Sequence, residues 1–483
     1  MNNQGVAKES LFSRPWGHRW REFLARIRGQ FVSMEATTGF EANSSLSRRG
    51  VPIFFLFAFP LAILVGPRIS LPYFDQGDFR IQDFLVVGAI LYFMGFDFSR
   101  ASKRAFHGSS ILLWVLVLCA WLVATHAIVN VDFTVGTAYT LRLLEIPILS
   151  VVIFRSLELA GDGKQIFVLG SIALGTALNL VWIAVQLVTG SKRVFWSVAS
   201  GGIEQYGPGL VGEPGAFPAG QTLVILLAGA VSFQLSPLLE RRQPVVLSTF
   251  LVAGIYGSIV LTQSRMSIGV GSLIVAFWLL IVLVRLRRCN PLLAQAIGAS
   301  FILAAALMLP LLPRVGWHSI VAGTEYRWVN IYTPMLQLLK EKFFLGLSVG
   351  AGRDARGGNE YHSLYVAILS DFGFVGFGIF CVATVLLIRN MLTRLADSPS
   401  RAVRFFSLWS LFIIVNLLAA GLLQSSHMSA TPTHLAAVII GTYFWLILAG
   451  RNLPGRLLGN FPARGKESTT RLTYGLPRET TAS

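Results

Sequence analysis

Runs of roughly 20 apolar residues, each long enough to cross a bilayer as a helix, recur near 51–67, 83–98, 110–130, 135–154, 165–188, 217–238, 245–262, 265–284, 293–312, 363–388, 403–423 and 433–449. They constrain the fold more than any other feature. Inside hydrocarbon every backbone N–H and C=O needs an internal partner, and a helix supplies those partners within one segment. With 54% of its 483 residues hydrophobic and 13% charged, the chain is too apolar for a water-soluble protein of its length. The predicted fold is an all-α polytopic membrane protein with about 12 transmembrane helices.

The first 49 residues are polar and basic and show no cleavable signal peptide, so the first span is expected to act as its own signal. Within this leader, "PWGHRWREFLARIRGQF" places aromatic and aliphatic residues on one helical face and arginines on others. That suits either a helix lying on an anionic membrane surface or a basic tail that only fixes orientation. The domain reading is a cytoplasmic leader over 1–50, a transmembrane domain over 51–449 and a basic, disordered cytoplasmic tail over 450–483.

A net charge of +17 raises the possibility of nucleic acid, but the location of the charge excludes it as a partner. "RASKR" at 100–104, "ERR" at 240–242, "RLRR" at 285–288 and the tail from Arg451 all fall on one side of the expected bundle. This is the positive-inside bias, and it places both termini in the cytoplasm. Cys119 and Cys381 lie inside spans and Cys289 at a cytoplasmic end, so no disulfide framework is expected. The absence of His-Glu-x-x-His and Gly-Lys-Ser/Thr motifs removes zinc-protease and P-loop readings.

Two connections are too long and too polar to be mere turns, 189–216 and 313–362, and both fall on the outward side. The second contains "EYRWVNIYTPMLQLLKEKFF", a helix-compatible stretch that Pro334 should bend or break. It continues into the glycine-rich "GLSVGAGRDARGGNEYH". Glycines let a backbone approach a ligand, and arginines offer forked donors that match phosphate oxygens. Arg327, Arg353 and Arg356 lie in this loop, and "LTQSRMSIG" puts Arg265 in a tight turn between two spans. Arg265 either meets an anion or snorkels to the surface. His362 stands at the entrance of the next span, as a catalytic group or a helix cap. No metal-ligand cluster is evident and no cofactor is expected; a phosphate ligand reached from the membrane accounts for this set.

These residues resemble the O-antigen polymerase and O-antigen ligase superfamily of bacterial inner-membrane glycosyltransferases. The resemblance covers about Leu261 to Phe377. It is carried by Ser264-Arg265 at a span-to-span turn, Arg327-Trp328, Gly346 and Gly350 in "FFLGLSVGAG", His362 opening a span, and Gly373 and Gly376 in "DFGFVGF". "GEPGAFPAG" at 212–220, with Glu213, is similar to an element that begins an earlier span. Two departures stand out: the family's His-Asn is His362-Ser363 here, and its Glu-x-Gly is Asp371-Phe372-Gly373.

The resemblance implies a glycan carried on undecaprenyl diphosphate at the periplasmic face, moved to an acceptor glycan hydroxyl with inversion and without a metal. It implies the diphosphate on Arg265, Arg327 and Arg353 or Arg356, with His362 as general base or acceptor orienter. Ser264, Glu213 and Asp371 would support them, and chain-length regulators or export proteins join the bilayer as further partners. Polymerase of an O-antigen, capsule or exopolysaccharide is the preferred reading, and a ligase acting on lipid A core the alternative.

Elsewhere, Arg142 and Glu145 are one turn apart and read as an ion pair, Asn179 and Gln186 as interhelical hydrogen-bond partners, and His427 as a solvated loop residue. Two rivals remain: a metal-dependent enzyme using Asp75 and Asp78, and a secondary transporter or lipid flippase with ionisable residues near the midplane.

Overall fold

A computed structural model describes residues 42–66, 68–70, 78–94, 110–129, 133–190, 210–211, 216–238, 245–289, 291–292, 295, 317–347, 363–398, 400–422 and 430–452. Helices dominate: α1 (Ala42–Val65), α2 (Ile81–Met94), α3 (Ser110–Val129), α4 (Phe133–Ala160), α5 (Gln165–Thr189), α6 (Ala216–Leu238), α7 (Val245–Leu261), α8 (Arg265–Cys289), α9 (Trp317–Arg327), α10 (Thr333–Leu339), α11 (Leu364–Asp397), α12 (Arg401–Gly421) and α13 (Ala430–Asn452). A small antiparallel ladder, β1 (Arg68–Ser70) against β2 (Asp78–Arg80), precedes α2. Each predicted span falls on a helix except that near 293–312, which lies outside the described residues.

Among the described residues six helical stretches are long and apolar enough to cross a membrane: Gln165–Thr189, Phe217–Leu235, Arg265–Val284, Leu364–Asp397, Arg401–Gly421 and Thr431–Leu448. Gly50–Val65, Ile81–Phe93, Val117–Ile128 and Thr249–Leu261 are apolar but shorter. α5 shows what surrounds the bundle. Its buried stripe, at helical spacing, carries Ser171, Thr176, Asn179 and Gln186, while its exposed side carries Ile166, Leu174, Leu178, Val181, Val185 and Val188. Polar groups inside and aliphatic groups outside is the distribution that a hydrocarbon solvent selects. The chain is an all-α membrane protein.

Two helices form its centre. The apolar stretches of α6 and α13 are 89% and 83% buried, against 28% to 50% for the other four. α4, α8 and α12 pack around them, and α1 joins α4 to α5. Helix directions follow from the contacts. α6 and α8 run parallel, since Gly220 meets Ser267 and Gln234 accepts from the Trp278 indole. α12 runs against α6, with Asn416 on Gln221 and Trp409 on the Ile225 carbonyl. α11 runs against α12 in turn, through the short connection between Asp397 and Arg401. Therefore α6, α8 and α11 begin at one end of the bundle, the upper end. α13 begins there too, since Tyr443 late in α13 meets Asn390 late in α11, and α2 and α4 run with α13 through Gln82 on His434 and Ser150 on the Ala437 carbonyl.

Asn179 shows how buried polar groups knit these helices. Its amide nitrogen donates to the carbonyls of Leu64 on α1 (3.1 Å) and Gly175 (2.8 Å), and its oxygen accepts the Val211 N–H (2.8 Å). Asn179→Leu leaves two of those groups buried without their partner and is expected to cost about 1–2 kcal/mol. The check is a lower thermal unfolding temperature of the detergent-purified variant.

Candidate functional site

The turn from α7 into α8 is built as tightly as its sequence suggests. The Thr262 hydroxyl donates to the Ile259 carbonyl (2.7 Å) and accepts the Ser264 N–H (3.4 Å). Gln263 takes φ 53°, which reverses the chain in one residue. The Ser264 carbonyl then receives the Ile268 N–H (2.9 Å), so Ser264 opens α8 and Arg265, half-buried, is its first residue.

From this turn a buried polar chain crosses the upper end of the bundle. Ser264 Oγ lies 2.9 Å from Ser267 Oγ, which accepts from Gln221 Nε2 (3.3 Å). Gln221 Oε1 accepts from Asn416 Nδ2 (2.9 Å). Gly220 permits the crossing: a Cβ there would lie 2.5 Å from Ser267 Oγ. Two residues beyond Asn416, the Leu418 carbonyl receives the Tyr365 hydroxyl (2.8 Å), and Gly421 packs against Leu364. The Ser264-Arg265 turn and the start of α11 are thus held at the same end through α6 and α12.

Ser363 caps α11, its Oγ accepting the Val366 N–H at 3.4 Å. Ser363 is the N-cap residue of this helix. His362, Arg353, Arg356 and Glu213 lie outside the described residues.

The loop segment bearing Arg327 is tied to α11. Arg327, half-buried, ends α9, and a π-helical turn over Trp328–Tyr332 follows. Where a bend or break was expected at Pro334, this turn and the Thr333 hydroxyl, on the Trp328 carbonyl at 2.9 Å, carry the helix past the missing N–H. Burial pushes the Tyr332 phenol up, and the Arg327 charge pulls against that shift. α10 then packs on α11, and residues 343–347 bond to its backbone: Leu347 N–H to the Ser370 carbonyl (2.7 Å) and Phe374 N–H to the Phe343 carbonyl (2.9 Å).

These bonds fall where α11 is interrupted. Gly373 takes φ 66° and ψ −172°, so the helix consists of arms 364–372 and 374–397. Gly346 opposite it has φ 78°. A Cβ on Gly346 would lie 2.4 Å from Gly373 N, and one on Gly373 2.3 Å from the Phe344 carbonyl oxygen. Asp371, 1% exposed, sits two residues before the kink.

A second polar cluster at the upper end escaped the sequence reading. Glu145, assigned there to Arg142, has Oε2 3.3 Å from Nε2 of His434 on α13. Asp83 at the start of α2 joins them, one ligand atom from each residue lying within 4.8 Å of the others. Arg80, 5% exposed, donates to the Thr431 hydroxyl beside them. A histidine at the fifth residue of a helix followed by an apolar run carries no periodic signal, which is why His434 went unremarked. Of the other carboxylate pair, Asp78 pairs with Ser70 in the ladder and Asp75 lies outside the described residues.

No protein-family model matches the chain, and no curated protein is recognisably similar to it.

Proposed function

We propose that this protein is a glycosyltransferase of the bacterial inner membrane that joins undecaprenyl-diphosphate-linked oligosaccharide repeat units into a surface polysaccharide at the periplasmic face. The observation that carries the reading is the buried chain from Ser264 through Ser267 and Gln221 to Asn416. It holds the Arg265 turn and the entrance of α11, directly after His362, at one end of the bundle. In this reading that end is periplasmic, the termini are cytoplasmic and the chain crosses the membrane about 12 times. α8 and α11 running in the same direction supports a return of the chain between them, as the span expected near 293–312 provides.

The chemistry follows from the residues. The acceptor hydroxyl oxygen bonds to the anomeric carbon, the bond from that carbon to the diphosphate breaks, and the lipid diphosphate leaves with the electron pair. Arg265 and Arg327, with Arg353 or Arg356, stabilise the charge growing on the leaving group. His362 takes the hydroxyl proton.

Purified protein given a defined lipid-linked repeat unit should extend it into a ladder of products without added lipid A core. A single transfer that requires lipid A core would make it a ligase instead. Asp83, Glu145 and the buried His434 favour a second reading, a transporter or flippase, since such proteins place ionisable residues inside the bundle. Movement of the lipid-linked sugar across liposomes with no new glycosidic bond would establish that reading and overturn the first.

A further inference from the structure

We propose that Asp83, Glu145 and His434 bind a divalent transition-metal ion that clamps α2, α4 and α13 together at the upper end of the bundle. The proposal stands apart from the glycosyltransferase reading, whose chemistry draws on other residues.

Each ligand comes from a different helix, and His434 is wholly buried. Its Nε2 makes no hydrogen bond although Glu145 Oε2 is 3.3 Å away. Two polar atoms that close, without donor geometry, are placed as two ligands of a common centre. Around an ion at about 2.1 Å, neighbouring ligand atoms stand roughly 3.0–3.4 Å apart. A carboxylate oxygen of Asp83 lies within 4.8 Å of both, and Asp83 Oδ2 also accepts the Arg80 N–H at 2.8 Å.

The other ring nitrogen is held as well. Nδ1 lies 3.2 Å from Nε2 of Gln82, itself 1% exposed, and the metal-bound state calls for this amide to be turned over. An amide offers an oxygen or a nitrogen from nearly the same position. With the oxygen toward Nδ1–H, Gln82 fixes the tautomer that leaves the Nε2 lone pair pointing at the two carboxylates, the usual support of a metal-bound imidazole.

The donor set chooses the ion. One imidazole nitrogen with two carboxylates suits zinc, manganese or iron(II), whereas magnesium, calcium and sodium prefer oxygen alone.

The test uses the full chain in nanodiscs, freed of any polyhistidine tag and stripped of metal by chelator. Added Zn²⁺ or Mn²⁺ should bind at about one equivalent per chain and raise the unfolding temperature. His434→Ala and Glu145→Gln should each weaken binding at least tenfold, and Gln82→Leu by roughly 10–100-fold. Cobalt(II) added to the unaltered protein should give visible d–d bands, a readout independent of whether the variants fold. No stoichiometric binding, no cobalt bands, or unchanged affinity in the folded variants would each overturn the proposal and leave a buried ion-pair network.

Discussion

Arg265→Ala and His362→Ala are each expected to lower polymer formation by roughly 10²-fold to 10⁴-fold, the range lost when one charge-stabilising donor or one general base is removed. Both variants should still insert and unfold at close to the parent temperature. Arg265 is half-buried on the first residue of α8, and the turn that places it has hydrogen bonds of its own from Thr262 and Ser264. Lysine at 265 keeps the charge but loses the planar fork, so Arg265→Lys should fall between parent and alanine variant. The rates are read as product ladders on gels from a defined lipid-linked donor. Full activity in both alanine variants, with insertion confirmed, would remove the site assignment.

Gly373→Ala should produce the largest loss of stability of any single-methyl change in α11. The new Cβ would meet the Phe344 carbonyl oxygen at 2.3 Å, and φ 66° is a conformation that costs a side-chain-bearing residue about 1–2 kcal/mol by itself. Together these are expected to cost at least about 2 kcal/mol. Gly378 lies five residues on in the same helix, with nothing within 4 Å of an added Cβ. Gly378→Ala should therefore be neutral, or stabilising by up to about 1 kcal/mol. Thermal unfolding of the two variants side by side gives the comparison, and equal behaviour would contradict the interlocked loop described for residues 343–347.

The kink was only half legible in the sequence. Gly346 drew notice as a position where a backbone could approach a ligand and Gly373 only as part of a motif, and each turns out to face the other. The start of α11 was placed to within a residue, whereas its end was not: an apolar run was expected to stop near 388, and the helix continues to Asp397. Hydropathy marks where hydrocarbon ends, and a helix can outlast it when its own hydrogen bonds and a cap such as Ser398 keep it going. Asn179 was read correctly because a lone amide in an apolar helix has little to do except bridge to a neighbour. The nearness of His434 to Glu145 was not legible, because spacing along one helix identifies a neighbour one turn away and says nothing of a residue brought there only by the packing of α13 on α4.

The site divides in the same way. Ser264 and Arg265 were visible as polar residues in a very short connection between apolar runs. Gln221 and Asn416, which link that connection to the start of α11, sit in unremarkable apolar surroundings, and only the crossing of α6 with α8 and α12 gives them a role.

Because α6 touches protein on every side from Ala219 to Ser232, that stretch has no surface where one greasy residue is as good as another. A saturation scan from Ala219 to Ser232 should read almost uniformly intolerant, even toward leucine-for-valine exchanges, while the outer side of α5 accepts such exchanges freely. That contrast would let a growth selection map the centre of this molecule with no assay of its chemistry.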